Sequence, residues 1–211
     1  MNLCVIVLSN DLKRHIKPPK YQPKICYKID EKSIVEICLD TVIKLNPKLI
    51  ILMVSKHEIL FINKVIKYVN YAKLISYCIY DNLVENYTDV KMQKISLAET
   101  CYSGHDVLVV PGNCPTITLR SLSKMVNAKR NVKINDNFFF LPKENLHYLR
   151  PSIIDADLSL INTVANETDF IDEKEIKSVE TVTDYEEAIK IFDKKKSFFK
   201  KFSRIRKNHS I

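Results

Sequence analysis

The chain has 211 residues, 46% hydrophobic and 27% charged, which suits one soluble globular domain with a substantial core. No apolar run approaches the roughly 20 residues that span a bilayer, and the first residues lack the basic head of a signal peptide, so the expected location is cytoplasmic. Only two residues are glycine, Gly104 and Gly112, where average usage of about 7% would give roughly 15, which excludes a glycine-rich phosphate loop.

Leu3 to Leu8 is a continuous apolar run, the pattern of a strand buried on both faces. A polar loop with Pro18, Pro19 and Pro23 follows. Lys32 to Leu45 then places Ile34, Val35, Cys38, Leu39, Val42 and Ile43 on one helical face, and Pro47 stops it. Leu49 to Val54 reads as a second buried strand, Ile59 to Val69 as a second helix, Leu74 to Ile79 as a third strand and Lys91 to Tyr102 as a third helix. Val107 to Val110 is a fourth strand ending in Pro111-Gly112-Asn113-Cys114-Pro115, and Thr118 opens a helix with Leu119, Leu122 and Val126 on its apolar face. Phe138 to Leu141 reads as a strand and Ile153 to Val164 as a helix. Ile176 to Val182 reads as a short strand, and Thr183 with Glu186 forms a capping box for a helix from Asp184 to Phe192.

Strands alternating with helices imply an α/β three-layer sandwich with a mostly parallel sheet. Ligands of such sheets bind at the carboxyl ends of the strands, so the loops after Leu8 and Val110 are the expected site. The six cysteines form no CxxC pair, and no two of the five histidines share a metal-ligand spacing, which argues against a zinc site and a disulfide framework. Asp106 and Asp136 read as a strand-entry cap and a turn.

Charge divides the chain at about residue 193. Eight basic residues and no acidic one lie in 194–211, and 33 basic residues less these eight leaves 25, equal to the 25 acidic ones. The expected organisation is a neutral domain over 1–193 and a basic tail over 194–211. The tail interleaves its cations with Phe198, Phe199, Phe202 and Ile205. That composition suits an anionic membrane surface or a nucleic-acid backbone, and equally a solvated end.

Four stretches, in order, resemble the nucleotidyltransferases of the N-acetylglucosamine-1-phosphate uridylyltransferase and molybdenum-cofactor guanylyltransferase type. Val5 to Leu8 followed by Ser9-Asn10-Asp11-Leu12-Lys13-Arg14-His15 and Pro23-Lys24 is similar to the family's LAxGxGTRM…PK. The turn Glu31-Lys32 and helix opening Ser33-Ile34-Val35 keep the family spacing. Asp106 to Leu122 is similar to DxxLxxGDxPLIxxxTL, and Val179 to Tyr185 to a VDTPEDL closing motif.

The resemblance implies a nucleotide-diphospho-sugar-transferase-like fold and binding of a nucleoside triphosphate or nucleotide sugar. It implies a nucleotidyl transfer to a phosphorylated sugar or similar substrate, with release of pyrophosphate. It assigns Arg14 and Lys24 as catalytic cations against the phosphates and Ser9, Asn10 and Gly112 as substrate-binding residues. Asn113 and Glu180 fall at the positions of the magnesium ligands. The chain departs from the pattern where Asn10, Asp11 and Leu12 replace phosphate-cradling glycines. Asp81 to Met92, where the family reads base and sugar, has neither the glycines nor the histidine. These departures leave a catalytically inactive module of the same fold as the alternative. A glycosyltransferase-like reading has only Asp155-Ala156-Asp157 as a metal motif, within an expected helix.

Overall fold

The computed structural model describes residues 2–9, 23–56, 58–67, 69–80, 99–135, 138–149 and 177–194. Asn10, Arg14, the 81–92 stretch, Asp136, the expected helix 153–164 with its Asp155-Ala156-Asp157 triplet, and the tail beyond Lys194 lie outside the described residues, as does most of the helix expected from Lys91.

In chain order the elements are β1 (Leu3–Leu8), a 3-10 turn (Lys24–Cys26), β2 (Lys28–Ile29), β3 (Lys32–Ser33), α1 (Ile34–Val42), β4 (Leu49–Ser55), α2 (Ile59–Ile66), β5 (Ile75–Tyr80), α3 (Glu99–Tyr102), β6 (Asp106–Pro111), α4 (Leu119–Asn127), β7 (Val132–Asn135) and β8 (Phe138–Leu141), then a helix over 182–194, α5. The main sheet runs β5-β4-β1-β6-β8-β7. β1 pairs in parallel with β4 and β6, β4 in parallel with β5, and β8 is antiparallel to both β6 and β7. It is a mostly parallel α/β sheet, and β2 and β3 form a separate small hairpin.

β1 explains its own composition. It has a strand on each side and a packed layer on each face, so every one of its positions is buried. Leu3, Val5 and Val7 point to one face, where Val35, Leu39, Ile62, Leu122 and Val126 of α1, α2 and α4 pack on them. Cys4, Ile6 and Leu8 point to the other, against Tyr102 of α3 and Leu146. Alternate side chains of a strand go to opposite faces, so both sets must be apolar. Full burial of each such side chain contributes about 1.5–3 kcal/mol.

The helices differ from expectation mainly at their ends. Lys32 and Ser33 belong to the hairpin. Ser33 is the N-cap of α1, with its hydroxyl on the Glu36 amide and the Glu36 carboxylate on the Ser33 amide. Thr118 caps α4 as expected, through the Ser121 amide at 3.3 Å. Leu122 and Val126 are buried with Ser121 and Met125, but Leu119, in the first turn, is 36% exposed and leaves the expected apolar face. The expected strand 176–182 is also corrected. Residues 177–180 are irregular, and the cap of α5 is Thr181 with Asp184, two residues before Thr183 and Glu186.

β6 ends beside β1, and Gly112 follows it. The Gly112 N–H donates to Leu8 O at 2.8 Å. A Cβ there would lie 3.0 Å from Leu8 O and 3.2 Å from Val7 Cγ1, so any side chain must push the two strand ends apart. Gly112→Ala is therefore expected to destabilise the fold by about 1–3 kcal/mol, the usual cost of overpacking. Urea unfolding would read this as a lower midpoint at unchanged m-value, and an unchanged midpoint would show that the strand ends give way freely.

Candidate functional site

The chain leaves β1 for β4 and β5 on one side, then returns to β6 on the other. The carboxyl ends of β1 and β6 thus form the topological switch point, where open α/β sheets hold their ligands. Ser9 and Gly112 stand at these two ends.

The loop after β6 is buried despite its polarity: Asn113 and Cys114 are both 0% exposed. Asn113 O accepts from Val179 N at 2.9 Å, which draws the distant 177–180 segment against the loop. Asn113 Nδ2 donates to Glu180 Oε1, also at 2.9 Å. A carboxylate only accepts, so this bond fixes which way the amide faces. Its other atom, Oδ1, is buried and has no hydrogen-bond partner among the described residues. An orphaned acceptor of this kind costs about 1–3 kcal/mol if nothing meets it.

Lys24 opens the 3-10 turn after Pro23, closed by Tyr27 N on Lys24 O at 3.0 Å. The lysine is 4% exposed, and its Nζ lies 3.3 Å from Glu180 Oε2. The Glu180 carboxylate therefore takes Asn113 on one oxygen and Lys24 on the other. Three residues expected separately from three motifs meet at one carboxylate.

The remaining expected residues have other surroundings. Ser9 is buried, with its N–H on Met53 O at 3.0 Å and its Oγ donating to Glu58 Oε2 at 2.9 Å. The same Glu58 oxygen accepts Ser55 N at 2.9 Å, so the ends of β1 and β4 are tied through one buried carboxylate. Glu58 was not anticipated. Its signal is Ser55-x-x-Glu58 immediately after an apolar run, the spacing of a side chain that turns back on the chain.

Two thiols flank the site. Cys38 Sγ donates to Gly112 O at 3.3 Å, and Cys114 Sγ lies 3.3 Å from Ser178 Oγ. Burial pushes the Cys114 thiol up to about 12, and burial together with Cys114 pushes Cys38 well above its ordinary value. Both therefore favour the protonated thiol near neutral pH, the form of a buried structural cysteine. Among the described residues, no three His, Cys, Asp or Glu side chains group closely enough to hold a metal, and no helix is long and apolar enough to cross a membrane.

No family model matches the chain, and no curated protein matches it in sequence. Solved structures do. One is Rv0371c from Mycobacterium tuberculosis H37Rv, with a TM-score of 0.58 at 9% identity over 90% of this chain and 97% of that one. Another is 4-diphosphocytidyl-2C-methyl-D-erythritol synthase from Anaerococcus prevotii DSM 20548, with a TM-score of 0.61 at 13% identity over 91% and 98%. A third is a glucose-1-phosphate thymidylyltransferase from Bacillus anthracis, described as putative, at 0.51 and 10% over 77% and 79%. At such identities the likeness is one of fold: the chain shares the α/β architecture of these structures.

Proposed function

We propose that the chain is a divergent nucleotidyltransferase that binds a nucleoside triphosphate at the β1–β6 crevice. It transfers the nucleotidyl group to a phosphorylated sugar or similar substrate. The observation that carries this reading is the convergence of Lys24, Asn113 and Glu180 on one another at the carboxyl edge of the sheet.

The donor set fits magnesium. Among the described residues Asn113 Oδ1 is a buried oxygen without a partner, and turning the amide over would set it against the Glu180 carboxylate that Nδ2 now meets at 2.9 Å. Magnesium needs only one or two protein oxygens when phosphates complete its shell. Asn113 and Glu180 would hold it, and it would supply Lewis-acid polarisation of the reacting phosphoryl group.

The chain's own part is charge and position. Lys24 brings a cation into a buried site, where its attraction for phosphate oxygens exceeds that in water. In the transfer, a phosphate oxygen of the acceptor bonds to the α-phosphorus as the bond to pyrophosphate breaks. Lys24 stabilises the charge that develops there. The tight end of β6, set by Gly112, holds Asn113 against that same point.

A second reading, nucleotide binding without turnover, is favoured by one feature. The 9–23 loop has no glycine, so it lacks the residues that usually bring bare backbone amides close to a triphosphate. Pyrophosphate release, measured with each NTP and a set of sugar 1-phosphates, separates the two readings. Binding without release selects the second.

Two substitutions test the site itself. Lys24→Ala is expected to weaken triphosphate binding by about 1.5–3 kcal/mol, as for loss of a hydrogen bond to a charged group. Lys28→Ala, at the exposed first position of β2, should leave it within calorimetric error. Equal losses would remove Lys24 from the site. Asn113→Asp sets a second carboxylate against Glu180 where an amide now donates at 2.9 Å. Without metal the like charges repel, so the melting temperature should fall. Millimolar magnesium should restore it, with a larger shift than in the wild type. Identical magnesium shifts in both proteins would exclude these two residues as ligands.

A further inference from the structure

We infer that Asp184 is a positioning residue that fixes the backbone from which Glu180 reaches Lys24 and Asn113. The function of that contact rests on the nucleotide reading above.

A capping box explains only part of what Asp184 does. In such a box the third helical residue returns its side chain to the N–H of the cap residue. Asp184 does so, with Oδ2 accepting Thr181 N at 2.9 Å, while Thr181 Oγ1 accepts Asp184 N at 3.2 Å. The same Oδ2 also accepts the Thr181 hydroxyl at 2.8 Å. It then reaches one residue further back, to Glu180 N at 3.2 Å. Helix capping has no use for that last bond, because Glu180 precedes the cap.

The bond matters because 177–180 belongs to no strand. Among the described residues, two backbone anchors are seen there. Val179 N is held by Asn113 O, and Glu180 N by Asp184. Glu180 thus stands between a bond to the metal-ligand candidate and a bond to Asp184. The other oxygen of Asp184, Oδ1, faces Lys177 Nζ at 3.4 Å, which keeps Oδ2 turned toward the two amides. Partial burial pushes the Asp184 carboxyl up, but the Thr181 hydroxyl, the Thr181 and Glu180 amides and Lys177 outweigh it and hold it below the usual aspartate value. The charged, accepting form is therefore the one present at neutral pH.

The test is a cycle on the full chain with D184A, E180A and the double variant, titrated calorimetrically with ATP, CTP, GTP and UTP in magnesium. For the triphosphate that binds, D184A should lose about tenfold in affinity, as indirect supports of metal ligands do. The double variant should bind no worse than E180A alone. D184N, which keeps an oxygen acceptor for the Glu180 amide, should recover most of the loss. A D184A penalty undiminished in the E180A background would overturn the inference, because Asp184 would then act independently of Glu180.

If the wild type binds none of the four, the nucleotide reading fails, and positioning is read directly. The ¹⁵N signal of Lys24 Nζ should move in D184A toward its E180A value, and an unmoved signal overturns the inference. Should D184A not fold, D184E carries both tests, since it keeps the charge but displaces the carboxylate from the Glu180 amide.

Discussion

Asn113 makes two hydrogen bonds to chain that lies 66 and 67 residues further on, one from its backbone to Val179 and one from its side chain to Glu180. Most of the site depends on this pair. Without it the 177–180 segment has no strand ladder to hold it, and Glu180 has no fixed approach to Lys24. With it, α5 lies so that Val179 and Ala188 pack against Ile29, Ile34 and Cys38. The ring of Tyr185 meets Tyr27 at 5.8 Å between centroids, and its hydroxyl donates to Lys28 O. The loop after β6 and the hairpin before α1 are thereby joined through the last helix.

The electrostatics follow from burial. An ammonium group that is 4% exposed is costly unless paired, and Glu180 provides the pairing. Glu180 itself is 39% exposed on its side chain, so the pair is asymmetric, with a buried cation and a carboxylate still reached by solvent. The desolvation cost falls mainly on Lys24. A phosphate arriving in the crevice would offer that lysine a second anion without moving it into water. The pair therefore neutralises the lysine where water cannot.

Much of this fold was legible in the sequence because its central strands are buried on both faces. β1, β4 and β6 appear as unbroken apolar runs, and their order against the helices gives a mostly parallel sheet. Phe138 to Leu141 was legible for the same reason. β7 was not: Val132-Lys133-Ile134-Asn135 is short and half polar, as suits an edge strand paired on one side only. The cap of α5 illustrates a different limit. Thr181-Val182-Thr183-Asp184 and Thr183-Asp184-Tyr185-Glu186 both satisfy the Thr-x-x-acid pattern, so sequence spacing admits either. The choice is tertiary, because Val179 must reach Asn113, and the helix starts where that tether allows. Lys24, Asn113 and Glu180 could be named from motif order, but their shared contact could not. It needs a fold that brings the three segments to one sheet edge.

Glycine scarcity bears on the same edge. Among the described residues, three adopt positive φ without being glycine: Asp30 at 60°, Asn46 at 54° and Lys129 at 51°. Aspartate and asparagine tolerate this region through local hydrogen bonding, whereas lysine has no such compensation and bears a cost of about 1–2 kcal/mol. The chain thus accepts left-handed strain with ordinary side chains in places where glycine would relieve it. Gly112 is a different case, because the obstacle there is not φ but Leu8 O and Val7 Cγ1, which a Cβ would crowd. No rotamer avoids a clash at the Cβ itself. Gly104 does serve a positive φ, at 79°, so of the two glycines it is Gly112 that is constrained by the approach of β6 to β1. That approach places Asn113 beside the end of the first strand, so the geometry of the candidate site is set in the backbone before any of its side chains is chosen.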